Sequence, residues 1–334
     1  MKRFNQSKIY YVILTIVSIS IFAISCKPKP EPPHMGLPDG QGLHDRFIDN
    51  RESNKQSFTM DAGTGGTITG TEGTKITFPA NAFLHNGNPV TGNIEIELIE
   101  VYNRAGMLSM NKSSKGVRNN GDEEILQSGG ELFINAKQNG DQLTLGAPMH
   151  VESAIDEQGD FGKPMTIFRA GDTQENTDKW EEADEDQDGR PDPATFGEVL
   201  VNGVWKIIYV FDTSSFGWTN LDRWYNYTGA LTTLKIDVPD GYDNTNCQVF
   251  LTYDGEPKAL ANMDTWIAAD EMFTEHFGKL PIGQQVHLIL ITQIDGELYA
   301  KIQGTTIVAN HIEVMGDPTQ TTQQDLDDAI NALP

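Results

Sequence analysis

Through most of the chain, apolar residues recur at every second position in short runs, and the runs are closed by glycine, asparagine or Asp-Gly. A period of two is the side-chain period of a β-strand, and turn signals at the run ends join neighbouring strands antiparallel. The clearest runs near the front are Thr67-Ile68-Thr69, Lys75–Phe78 and Gly92–Glu100. In the last, Ile94, Ile96 and Leu98 face one way and Glu95, Glu97 and Ile99 the other, as in a strand with one wet face. Further on, Thr233–Val238 alternates, and Gln248–Tyr253 ends at Asp254-Gly255. The run Gln285–Ile294 is more continuously apolar, as a central strand requires, and Asp295-Gly296 turns it into Glu297–Ile302. In the tail, a helical candidate stands at Gln323–Leu333. The pattern predicts an all-β protein. At 334 residues it has room for two antiparallel β-sandwich domains, placed at 58–155 and 231–315. Between them, 156–230 reads as an acidic and aromatic connecting region, and 316–334 as a polar tail.

The front of the chain differs. Lys2, Arg3 and Lys8 precede the apolar run Ile9–Ile24, and Ala23-Ile24-Ser25-Cys26 leads into the proline-rich Lys27–Pro33. An apolar run of about 16 residues suits the core of a signal peptide better than a bilayer span of roughly 20. The cysteine at the small-residue cleavage point resembles the lipobox of bacterial lipoproteins. That resemblance implies removal of residues 1–25, acylation of Cys26 and a lipid anchor in the cell envelope, with the outer membrane as the expected place. The alternative is an uncleaved N-terminal anchor. Residues 26–57, rich in proline, glycine and charge, read as a flexible tether.

Loss of three cationic residues on cleavage moves the formal net charge from −24 to −27. So acidic a body repels phosphate backbones and excludes nucleic acid as a partner. Only Cys26 and Cys247 are present, so no disulfide framework holds the fold once Cys26 is lipidated. Cys247 alternates in phase with Val249 and Leu251 and reads as a small buried hydrophobe.

The run Gly65-Gly66-Thr67-Ile68-Thr69-Gly70-Thr71-Glu72-Gly73-Thr74-Lys75-Ile76-Thr77-Phe78-Pro79-Ala80-Asn81-Ala82-Phe83 resembles the opening of a ZU-five domain, with Asn81 where that family usually has glycine. The resemblance covers roughly residues 58–155. It implies a β-sandwich that makes protein contacts and carries no catalytic residues. The later stretch Phe216–Trp224 is similar to lipoproteins of the Bacteroidetes kind. Gly63-Thr64-Gly65-Gly66 is not a phosphate-binding loop, because strand residues follow it and no Gly-Lys-Ser/Thr end is present.

Three features carry candidate chemistry. In Asp184-Glu185-Asp186-Gln187-Asp188-Gly189-Arg190-Pro191-Asp192, carboxylates at positions 1, 3 and 5 with glycine at 6 match the first half of a calcium loop. Asp184, Asp186 and Asp188 would bind through carboxylates, Arg190 through its carbonyl, and Asp192 directly or through water. The glutamate that closes an EF-hand is missing, so the run resembles the loops of dockerins and thrombospondin type-3 repeats. A structural Ca²⁺ that orders the connecting region is the expected role, against a plain solvated acidic loop. The second feature is an aromatic cluster. Trp205, Tyr209 and Phe211 fall on a strand read as buried on both faces, whereas Trp218, Trp224 and Tyr225 sit among polar residues and are the surface candidates for a sugar or protein ligand. Asp222 beside Arg223 reads as a local ion pair. The third is Asp270–Gly278, where Glu271 and Glu275 would share one face of a short helix.

Catalytic motifs are thin: the sequence has no Gly-x-Ser-x-Gly elbow and no His-Glu-x-x-His helix. The expected function is binding or scaffolding at the envelope without catalysis. The alternatives are carbohydrate recognition, or a glycan-active hydrolase using two converging carboxylates.

Overall fold

The computed structural model describes residues 36–154, 164–170, 179–275 and 278–334. The expected signal peptide, Cys26 and the first part of the expected tether lie outside the described residues. What is described is mainly β-structure, as the alternation requires, with three helices among the described residues: α1 (Gly40–Ser53), α2 (Arg104–Ser109) and α3 (Gln323–Asn331).

One large sheet starts at Gln56–Asp61, Asn93–Val101 and Glu123–Gln138, and ends at Val204–Thr213, Met149–Glu152, Lys75–Phe78 and Gly66–Thr69. Its two ends fold over a common core. Ile94, Ile96, Leu98, Leu132 and Ile134 from one end meet Ile68, Ile76, Phe78, Val151 and Phe211 from the other. Later in the chain, a five-stranded sheet centred on Cys247–Tyr253 and Gln285–Ile294 faces a four-stranded sheet centred on Leu234–Asp237. Val249, Leu251, Val286, Leu288 and Leu290 pack there against Leu234, Ile236 and Phe273. Cys247 is buried beside them, as expected of a small hydrophobe.

The region 156–230 does not connect these two β-layers; it completes the first. Met165–Arg169, Trp180–Glu182, Pro193–Val201, Val204–Thr213 and Gly217–Trp224 are all strands of the large sheet. Gly217–Trp224 pairs with both Glu123–Gln138 and Met165–Arg169. The first β-unit therefore does not close at residue 155.

A third core lies between the layers. Ile99, Val101, Phe133, Phe168, Trp180 and Trp218 from the large sheet meet Phe250, Ile289, Ile291 and Leu298 from the five-stranded sheet. Even-numbered residues of Gln285–Ile294 face one core and odd-numbered residues the other, which explains its continuous hydrophobicity. Leu37–Pro334 accordingly forms one compact unit.

This third core overturns two expectations. The supposed wet face of Asn93–Val101 is covered over its later half: Ile99 is in the core and Glu97 is buried, while Glu95 stays exposed. Burial opposes ionisation of Glu97, but hydrogen bonds from Lys137 Nζ (2.9 Å) and Asn135 Nδ2 (2.8 Å) hold its carboxyl below the usual range. The second half of the expected tether is a helix. Asp39 caps α1 by accepting from the Gly42 N–H at 2.9 Å, and Leu43, Phe47 and Arg51, spaced by four, form its buried face. Gly40 sits so close to the Thr245 carbonyl that a Cβ would lie 1.8 Å from its oxygen, so no larger residue fits at this junction.

Candidate functional site

The acidic loop is built on a firm base. The Asp192 N–H donates to the Ala183 carbonyl at 2.8 Å, and Asp192 accepts from the Glu185 N–H at 2.9 Å. Asp184 accepts from the N–H groups of Asp188 and Gly189, and Asp188 from that of Arg190. Gln187 and Gly189 take positive φ, which turns the loop back on itself. Three exposed carboxylates, Asp184, Asp186 and Asp188, thereby bring ligand oxygens within 4.8 Å of one another. Two oxygens bound to one Ca²⁺ at about 2.4 Å stand no more than about 4.8 Å apart, so the trio can hold a metal ion. Glu185 points the other way. Burial opposes its ionisation, but the Ser214 N–H (2.9 Å), Arg169 (2.5 Å) and the Thr213 hydroxyl (2.7 Å) hold its carboxyl below the ordinary range. Glu185 thus fastens the loop to the sheet while its neighbours stay in solvent.

The aromatic candidates separate. Trp218 is 0% exposed: its ring packs on Phe133, and the Lys112 ammonium lies 3.8 Å from the ring centroid. It is a core residue and not a surface one. Its polar neighbours Thr219, Asn220 and Asp222 misled the sequence reading because they are fully buried too. Trp224 is half-buried, donating from Nε1 to Glu182 at 2.7 Å under the Arg118 guanidinium. Tyr225 lies at a small cleft of about 150 Å³, where its ring stacks parallel to Tyr227 at 6.4 Å beside Arg118, Glu124 and Lys279.

Two further corrections concern carboxylates. Asp222 does not pair with Arg223, which donates to Gln127 at 2.7 Å; Asp222 accepts from Asn220 Nδ2 at 2.6 Å. Met272–Thr274 is a strand, so Glu271 and Glu275 do not share a helical face.

Asp222 belongs to an enclosed polar cluster that sequence spacing did not mark. Glu131 stands opposite Asn220 in the ladder, and Ser128 Oγ donates to Asn220 Oδ1 at 2.9 Å. Burial pushes the Glu131 carboxyl up to about 7, with the Lys112 charge pulling the other way. Burial, then the nearby Glu131, raises Asp222 well above the carboxylate range.

A polar cleft of about 390 Å³ lies between α1, the segment Asn111–Lys115 and the second β-layer. Asn111, Asn244, Gln248 and Asn262 present amides there, with Phe47 and Phe273 behind them. Lys115 crosses the seam, bonding Asp264 at 2.5 Å and Glu123 at 2.7 Å. Asn262 donates from Nδ2 to Gln248 Oε1 at 3.3 Å, while its own Oδ1 is buried with no hydrogen-bond partner. A buried orphan acceptor is costly unless something donates to it. The lining comes from stretches scattered between His44 and Phe273, and Lys112–Gly116 beside it is buried. No local pattern announces such a site.

The chain matches no family model and no curated protein.

Proposed function

We propose that this is a lipid-anchored protein of the bacterial cell envelope, held at the outer membrane through Cys26, that works by binding or scaffolding and not by catalysis. In this reading the protein is a Bacteroidetes-like lipoprotein whose residues 58–155 are a ZU-five-like β-sandwich, enlarged by the strands that follow. A second sandwich packs against it, and the Asp184–Asp192 loop takes a structural Ca²⁺. The observation that carries the binding function is the 390 Å³ cleft, a volume in the range of small-ligand sites, lined by Asn111, Asn244, Gln248 and Asn262. A glycan array and a peptide array, probed with the wild-type body and with Gln248→Ala and Asn262→Ala, test it. The expected result is a saturable ligand lost in both variants. Arrays without a binder, or binding indifferent to both substitutions, sink the cleft as the site.

The parallel rings of Tyr225 and Tyr227 favour a second reading, carbohydrate stacking in the smaller cleft. The described lining of that cleft includes one carboxylate, Glu124, against the two that a hydrolase needs.

A further inference from the structure

The strands Pro193–Val201 and Val204–Thr213 form a hairpin whose tip is apolar and uncovered. Asn202 and Gly203 both take positive φ, the two-residue turn that matches strand twist. Behind the turn Val201 pairs with Val204, and Leu200 with Trp205. Leu200 is 58%, Val204 57% and Trp205 63% exposed. Successive residues of a strand face opposite sides, so the valine rung and the Leu–Trp rung present apolar surface on both faces of the ribbon. Charge resumes one residue further on each face, at Lys206 behind Val204 and at Glu198 behind Leu200.

We propose that this tip dips into the surface of a phospholipid bilayer. A flat protein partner covers one face of a ribbon and leaves the other wet; a bilayer surrounds both. Four side chains also fall well short of the roughly 800 Å² per partner that a stable protein pair buries. Two rungs and the turn reach about 7–10 Å at 3.3 Å per residue, the depth to which interfacial segments enter the headgroup and acyl boundary. Tryptophan beside aliphatic residues is the composition of that layer, and Lys206 and Glu198 set the stop. The bilayer is close at hand in the anchored reading on which this inference rests. From Cys26 to Leu37 there are eleven residues, a reach of at most about 40 Å. Because the body is strongly acidic, the contact is apolar and favours zwitterionic lipid.

The test uses residues 37–334, which form one compact unit without the lipid, mixed with phosphatidylcholine vesicles. Trp180 and Trp218 are buried and Trp224 and Trp266 partly buried, which leaves Trp205 the one exposed tryptophan of the five, and a blue shift of fluorescence on adding vesicles is assigned to it by its loss in Trp205→Phe. The expected result is that shift, together with co-sedimentation that Trp205→Ala weakens about tenfold. Trp205→Phe should keep co-sedimentation and lose the shift. No shift in the wild-type body overturns the proposal, as does co-sedimentation unchanged by Trp205→Ala and Val204→Ser. Mass analysis of acylation at Cys26 in the full chain tests the anchor separately, so either reading can fail alone.

Discussion

At the residue scale, the most consequential side chain is Glu131. Its carboxyl ordinarily titrates near 4.5 and is pushed up to about 7 in the fold, so the folded chain holds its proton more tightly than the unfolded chain. The stability it contributes is complete below about 4.5, falls as pH rises toward 7, and is gone above that. A shift of this size corresponds to roughly 3 kcal/mol across the window. Glu131→Gln should flatten that part of the stability–pH profile and raise the urea midpoint at pH 8 relative to wild type. Equal slopes in the two proteins between pH 4.5 and 7 would show that the carboxyl is not held neutral. Glu131 was illegible in the sequence because it sits in the run Glu131–Ala136, which alternates as an ordinary half-wet strand does. What surrounds it comes from other parts of the chain, with Asn220 opposite it in the ladder and Asp222 and Lys112 nearby. Cys247 was legible for the opposite reason, since its two neighbours in phase are apolar and alternation alone decides its side.

At the scale of elements, strands were read well and their partners poorly. The Asp295-Gly296 hairpin and α3 stand where turn chemistry and the tail pattern put them. Helix α1 escaped because its buried face is only Leu43, Phe47 and the stem of Arg51, too narrow a stripe to separate from a polar tether. The acidic loop was legible because all its parts lie within nine consecutive residues. Calorimetric titration with Ca²⁺ should show saturable binding in the weak extracellular range, about 10⁻⁴ to 10⁻³ M, with a rise in melting temperature. Asp186→Ala and Asp188→Ala should each abolish both effects, whereas Glu198→Ala, outside the loop, should leave them intact. Silence up to several times that concentration would leave the loop a solvated turn.

At the scale of the whole molecule, the sequence foretold an all-β chain and two separate sandwiches, but not the core that joins the sheets into one compact unit. That core uses the second faces of strands whose first faces were already accounted for, and alternation cannot say what covers a face. Trp180, Trp218 and Phe133 on one side and Phe250, Ile289 and Ile291 on the other are fully buried or nearly so, and separating the layers would expose all of them. Thermal unfolding of residues 37–334 should therefore be one transition, with calorimetric and van't Hoff enthalpies equal. Two resolved transitions would mean that the layers are independently stable.

The same joining core sets the order of events during biogenesis. Leu43 and Phe47 of α1 share it with Leu326 and Ile330 of α3, and Leu43 and Ile330 are 287 positions apart. Contacts so distant along the chain close last and cost the most loop entropy. A polypeptide that appears front end first during synthesis holds Leu43 and Phe47 exposed until nearly all of the body has followed. Helix α1 must wait for α3, and over that interval its apolar face is open to any chaperone.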